Sequence, residues 1–216
     1  LHYSLAAAKS AGAEKIIVIA GHQYDRVKAA FPDPDLVFVE QNPQLGTGHA
    51  VAQAKDALRD YGGLTVILCG DVPLLKQQTI RQLISSHIEN EAALTVLTAE
   101  PPGPHSYGRV VKDIRGSVTK IVEHRDAGED ERKITEINTG IYCVDTRLLF
   151  SALARVTNDN QQQEYYLTDI VEIAHRDGLK VCAFLAEDYI EVMGINTPEE
   201  LARAASYLRR PQRPQV

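Results

Sequence analysis

The chain has 216 residues, 44% hydrophobic and 24% charged, with 23 Lys and Arg against 29 Asp and Glu. That composition suits one large globular domain, or at most two small ones, and excludes a disordered or low-complexity polymer. A formal charge of −6 leaves no electrostatic footprint for nucleic acid or an anionic membrane, and the longest apolar runs are far too short to span a bilayer.

The first segment, Leu1 to Gly12, is alanine-rich and reads as a helix closed by glycine. Lys15 to Ala20 is a short β-branched run of the kind expected in a strand buried on both faces. A helix over Gln23 to Phe31 is stopped by Pro32-Asp33-Pro34, and Leu36 to Val39 forms a short strand. The loop Gln41 to Ala50 then runs into an alanine-rich helix ending near Asp60. Leu64 to Cys69 is the cleanest buried strand of the sequence, cut off by Gly70-Asp71-Val72-Pro73. A helix from Lys76 to Glu89 and a strand from Ala92 to Thr98 continue the alternation, which is that of a doubly wound α/β architecture.

After Glu100 the pattern changes. Pro101-Pro102-Gly103-Pro104 breaks the chain, and Gly108 to Lys112 with Ser117 to Glu123 reads as a hairpin. Thr135 to Val144 is a strand, Thr146 to Val156 a helix, and Glu164 to Asp177 a further helix. Lys180 to Ala186 is the final strand. Thr197-Pro198-Glu199-Glu200 opens the last helix with an N-cap, a proline and two acids. We expect one domain over residues 1–208, with a smaller lobe over about 100–190, and a tail or linker over 209–216. The three cysteines, Cys69, Cys143 and Cys182, lie in apolar runs without metal-ligand spacing, as expected of buried thiols in a reducing, cytoplasmic setting.

In parallel α/β sheets, ligands bind beyond the carboxyl ends of the strands. Asp71, directly after a hydrophobic strand, is placed either to hold a hard divalent cation or to cap the next turn; position alone leaves both open. Gly46-Thr47-Gly48 has no lysine at Walker spacing, so it is no P-loop; it serves either as a close approach for a ring or phosphate or as a plain loop-to-helix turn. Glu123, Asn138 and Asn196 end or interrupt strand-like runs, where they bind a sugar or metal or simply cap the local backbone. His49 and His124 are isolated, and a solvated or structurally bonded histidine is the better reading of each.

Seven segments taken in order resemble one family: Gln44 to Ala50, Gly70 to Leu74, Tyr107-Gly108-Arg109, Ile121 to His124, Glu136 to Gly140, Glu164 to Asp169 and Gly194-Ile195-Asn196. It is the uridylyltransferase (pyrophosphorylase) domain of the bacterial bifunctional N-acetylglucosamine-1-phosphate uridylyltransferase/glucosamine-1-phosphate acetyltransferase. The resemblance implies a Rossmann-like nucleotidyltransferase fold, with a mainly parallel mixed sheet and helices on both faces. It implies that UTP and N-acetylglucosamine 1-phosphate are joined, giving UDP-N-acetylglucosamine and pyrophosphate for peptidoglycan and cell-wall synthesis, with Mg2+ as cofactor. On this resemblance Gln41, Gly46 and Thr47 match the uridine-contacting positions. Cys69, Gly70 and Asp71 match the strand end near ribose and metal, and Gly108, Glu123 and Asn138 match the sugar-binding positions. Asp71 and Asn196 match the metal ligands. The usual first strand, its Gly-rich loop and a downstream lysine have no counterpart here, nor does the β-helical acetyltransferase domain. The expectations that follow are an internal portion of a longer product, impaired turnover and a monomer, with a non-catalytic UDP-sugar-binding module or a nucleotidyltransferase for another sugar 1-phosphate as the alternatives.

Overall fold

The computed structural model describes residues 1–103 and 105–209, so Pro104 and the end of the expected tail lie outside the described residues. In chain order the elements are α1 (His2–Ala11), β1 (Ile16–Ala20), α2 (Tyr24–Ala30), β2 (Leu36–Glu40), α3 (Thr47–Ala52), β3 (Leu64–Ile67), α4 (Gln77–Glu89), β4 (Leu94–Ala99), β5 (Arg109–Lys112), β6 (Val118–Val122), β7 (Ile137–Asp145), α5 (Thr146–Leu153), α6 (Asp169–Arg176), β8 (Val181–Leu185) and α7 (Pro198–Leu208). None of the helices is long and apolar enough to cross a membrane.

β1 and β2 pair in parallel as a two-stranded sheet. The remaining strands form a six-stranded sheet ordered β6-β5-β7-β4-β8, with β3 also laid against β7. β7 runs against β3, β4 and β5, while β4 and β8 run together. β3, β4, β5 and β8 therefore share one direction. The mixed sheet of the sequence reading is present, but because the reversed β7 sits at its middle, most ladders in it are antiparallel. The strands expected over the 100–190 lobe share this sheet with β3 and β4.

Alternation along the central strands divides the core into two layers. Leu94, Val96, Tyr142 and Val144 face α5 and α6, packing on Leu149, Ile170, Val171 and Ala174. Leu97, Ile137, Ile141 and Cys143 face the other way, onto Leu83 and Ile80 of α4 and Ala7 of α1. Helices thus cover both faces. β4 is buried throughout, whereas β3 is only half-buried along its length, because its other edge has no strand partner among the described residues.

Two helices differ from the sequence reading. α3 ends at Ala52, and only a short 3-10 turn at Asp56–Leu58 follows. The Gln53 side chain donates to the His49 carbonyl, which a continuing helix would use, and the backbone tightens into Gln53–Ala50, Ala54–Val51 and Lys55–Ala52 bonds. α6 begins at Asp169 instead of Glu164. The backbone before it is already committed. Tyr165 N–H donates to Leu45 O at 2.8 Å, Gly48 N–H donates to Tyr165 O at 2.7 Å, and Leu167 N–H donates to Thr47 Oγ1 at 3.0 Å. A segment bonded as a short ladder to a distant loop cannot also supply helical bonds.

Candidate active site

The Gln41-to-Gly48 loop is shaped by contacts with its own chain. Gln41 Nε2 donates to Gly46 O at 2.9 Å and lies 3.1 Å from His49 Nδ1, while Gln53 Nε2 lies 3.1 Å from the other ring nitrogen. Of the two states that its isolation in sequence suggested, His49 thus takes the structurally bonded one. Gly46 has φ +108°, and a Cβ there would come within 2.7 Å of Tyr165 O. At Gly48 the corresponding distance is 3.0 Å. The glycines let the loop close on the Tyr165–Tyr166 backbone, which brings Gln41, Gly46 and Thr47 together at the start of α3.

A second group forms where three loops meet. Ile195 N–H donates to Asp71 O at 3.0 Å, and Gly194 N–H donates to the Tyr107 hydroxyl at 3.3 Å. A Cβ on Gly194 would stand 3.0 Å from Asp71 Oδ2 and 3.6 Å from Asn196 Nδ2, so the glycine admits both side chains to one point. The capped helix that the sequence predicts positions Asn196. Glu200 Oε2 accepts from Asn196 N–H at 2.7 Å and Thr197 N–H at 2.9 Å, and Thr197 Oγ1 accepts from Glu200 N–H at 3.1 Å. Cys69 Sγ packs over Gly140. Burial, with the Asp71 carboxylate pushing the same way, raises its thiol to about 12.

The third group lies along β5, β6 and β7. Gly108 O accepts from Asn138 N–H at 2.9 Å, and a Cβ on Gly108 would lie 3.5 Å from Glu123 Oε2. Glu123 Oε1 accepts from Thr168 Oγ1 at 3.2 Å. Burial raises the Glu123 carboxyl above the ordinary range, the Thr168 bond opposes this, and the Asp126 charge reinforces it. Asn138 Oδ1 accepts from Gly140 N–H at 3.0 Å, a local bond of the capping type that the sequence left open. Buried Tyr142 stands beside both residues; desolvation drives its hydroxyl well above the usual phenol range, the Glu123 charge adds to this, and a bond to Asn138 opposes it.

The groups are joined to one another. Thr47 bonds Leu167, whose neighbour Thr168 bonds Glu123, and Cys69 packs on the turn that Asn138 holds. All ten expected positions therefore lie in one connected region. Sequence reasoning missed Thr168, Tyr107 and Tyr142. Thr168 and Tyr107 sit inside quoted motifs, and each comes into view only through a partner on another element.

Over residues 1–204 the chain matches the model of the nucleotidyl transferase family, and it belongs to that family. It is 47% identical over 209 residues to the bifunctional protein GlmU of Geobacter sulfurreducens, covering 96% of this chain and 44% of that protein. It is 48% identical over 197 residues to the bifunctional protein GlmU of Brevibacillus brevis, covering 91% and 42%. The chain thus spans less than half the length of the curated relatives it matches. Its fold is similar to the crystal structure of apo UDP-glucose pyrophosphorylase, with a TM-score of 0.71 at 15% identity over 97% of this chain and 86% of that one.

Proposed function

We propose that the chain transfers UMP from UTP to N-acetylglucosamine 1-phosphate, giving UDP-N-acetylglucosamine and pyrophosphate. Kinship with bifunctional GlmU proteins supports the substrate pair. The observation that carries the site is the convergence of Asp71 and Asn196 over Gly194, at the strand end next to the Gly108–Glu123–Asn138 group.

In this reading the Gln41 amide and the Gly46-Thr47 backbone read the uracil edge, and Cys69-Gly70 lies along the ribose. Gly108 leaves room for the sugar ring, whose hydroxyls bond Glu123 and Asn138. Thr168 holds the Glu123 carboxylate in place through the 3.2 Å bond. The nucleophile is a phosphate oxygen that is already anionic, so no general base is needed, and the protein's work is to hold that oxygen in line with the α-phosphorus.

The donor chemistry fits a hard divalent cation such as Mg2+. One carboxylate and one amide face a common point, and turning the Asn196 amide presents its oxygen. No group of three or more His, Cys, Asp or Glu side chains suited to a metal occurs among the described residues, which agrees with a cation completed by substrate phosphates and water. When bound it supplies charge neutralisation on those phosphates.

The test follows pyrophosphate release from UTP, N-acetylglucosamine 1-phosphate and Mg2+, with glucose 1-phosphate and dTTP as controls. Product with the first pair supports the reading. Product only with a control reassigns the substrate, and no product from a folded chain refutes the activity. Asp71→Asn lies on an exposed loop and should leave the fold intact while lowering turnover by about 100-fold or more, the scale of a lost charge-stabilising group.

A further inference from the structure

The β5–β6 ribbon has a second face that the candidate active site does not use. Its register pairs Arg109 with Val122 and Val110 with Ile121. Val110 and Ile121 enter the core beneath α6, and Gly108 and Glu123 continue that side by alternation. Arg109, Val122 and His124 therefore belong to the opposite side. A cavity of about 600 Å³ opens there, its charged and titratable lining formed by Glu100, His105, Arg109, His124, Arg132 and Lys133.

Arg109 is only 3% exposed, yet it makes no ion pair among the described residues. Its terminal nitrogens donate to the carbonyls of Tyr107 and His105, and its Nε has no partner. Nδ1 of His105 and Nδ1 of His124 are likewise buried and unpartnered. Of the surrounding carboxylates, only Glu100 stands in the lining, where a threonine hydroxyl holds it, and the others are paired with lysines. Glu100 accepts from Thr135, Asp130 pairs with Lys133, Glu131 with Lys120, and Glu136 with Lys112 and Thr98. Burial and the Arg132 charge depress the Arg109 guanidinium, and burial, Arg109 and His124 depress His105. A buried guanidinium with no counter-ion among the described residues is costly, and the lining gathers it with two histidines and Arg132 where an anion entering from outside can supply the missing charge.

We propose that this cavity binds the phosphate group of a small anionic metabolite, held by Arg109 and Arg132 with the two histidines. A phosphate presents several acceptor oxygens at once, which suits guanidinium groups and separated nitrogen donors better than a single carboxylate does. The cavity also has room for a body larger than the phosphate itself. Because it lies on the other side of the ribbon from Glu123, its ligand does not compete with the substrates of the candidate active site.

The experiment titrates the chain at constant ionic strength with inorganic phosphate and separately with glucose 6-phosphate, following the imidazole resonances of His105 and His124 by NMR. Saturable shifts of both rings are expected, persisting with UDP-N-acetylglucosamine in excess. Tighter binding of glucose 6-phosphate identifies a phosphorylated metabolite as the occupant, and tighter binding of inorganic phosphate identifies the free ion. Arg132→Gln, at an exposed position, should weaken binding by about tenfold, the value of one charge-assisted bond. Arg109→Gln should abolish it, provided circular dichroism shows a folded chain. Absence of saturable shifts, displacement by UDP-N-acetylglucosamine, or undiminished binding by Arg132→Gln would overturn the proposal.

Discussion

Gly46→Ala tests the claim that the Gly46–Gly48 loop is built to close on the Tyr165 backbone. Gly46 sits at φ +108°, and a Cβ there meets Tyr165 O at 2.7 Å, Glu164 Cβ at 2.9 Å and Tyr165 N at 2.9 Å. At φ 108°, ψ 175° the backbone lies in a region essentially confined to glycine, at a cost to another residue of about 2 kcal/mol. The Cβ must also push the Tyr165 segment away, and two backbone bonds hold that segment at 2.7 and 2.8 Å, each worth about 1 kcal/mol net. The expected loss is thus about 3–4 kcal/mol, a large share of the roughly 5–15 kcal/mol that holds such a domain together. Two companions separate the contributions. Gly12 is left-handed at φ 97°, ψ 29° with nothing within 4 Å of its Cβ position, so Gly12→Ala carries a positive-φ backbone cost without any contact cost. Gly48→Ala has no unusual φ and meets Tyr165 O at 3.0 Å, so it carries the contact cost alone. Urea unfolding should rank Gly46→Ala as the most destabilised, by about 2 kcal/mol beyond Gly12→Ala. Equal midpoints for Gly46→Ala and Gly12→Ala would refute the packing argument.

Three further outcomes can be measured. Burial raises the Asp169 carboxyl to about 6, with Glu172, Glu123 and Asp126 adding, so its contribution to stability is present below its unfolded value of 3.8 and is lost as pH rises through 6. Asp169→Asn should therefore gain about 1 kcal/mol at pH 7.5, discounted for a half-exposed group, and nothing below pH 4; a pH-independent difference contradicts the assignment. Glu191, 9% exposed, accepts from Lys76 and from buried Thr79 at 2.6 Å, so Glu191→Ala should cost about 2 kcal/mol in urea unfolding, with Glu191→Gln recovering most of it through Thr79. With its thiol raised to about 12, Cys69 should resist alkylation by iodoacetamide at pH 8 in the folded chain and react once urea unfolds it; mass spectrometry of the peptide distinguishes the two.

The order of strands and helices was legible because each buried element carries its own pattern. Leu94 to Ala99 is β-branched or apolar at every position, and Thr197-Pro198-Glu199-Glu200 encodes its cap in four consecutive residues. The start of α6 was not legible. Glu164 to Thr168 has nothing in its own residues that forbids a helix, and the bonds that prevent one come from Leu45, Thr47 and Gly48. The reversal of β7 at the centre of the sheet is hidden for the same reason, since the apolar run Ile141 to Val144 fits equally between neighbours of either direction.

The site residues show what a single sequence leaves undecided. Asp71, Asn138 and Asn196 are all side chains that cap turns and helices, so each invited that reading. The structure separates them by asking what does the capping. At α7 it is Thr197 and Glu200, which leaves the Asn196 side chain out of the cap. α4 has Lys76 as its N-cap and no side-chain cap bond, so Asp71 does not serve there, and its carboxylate turns to Gly194 instead. Asn138 does make a local bond, to Gly140, with its carbonyl oxygen. An amide whose oxygen is held by Gly140 and whose NH2 also reaches Tyr142 keeps one N–H for a ligand, and a buried carboxylate steadied by Thr168 keeps its second oxygen. A sugar ring placed between Asn138 and Glu123 therefore meets one donor and one acceptor, the complement of a hydroxyl pair. That pairing was invisible in sequence because each partner's free valence depends on a bond made by another element.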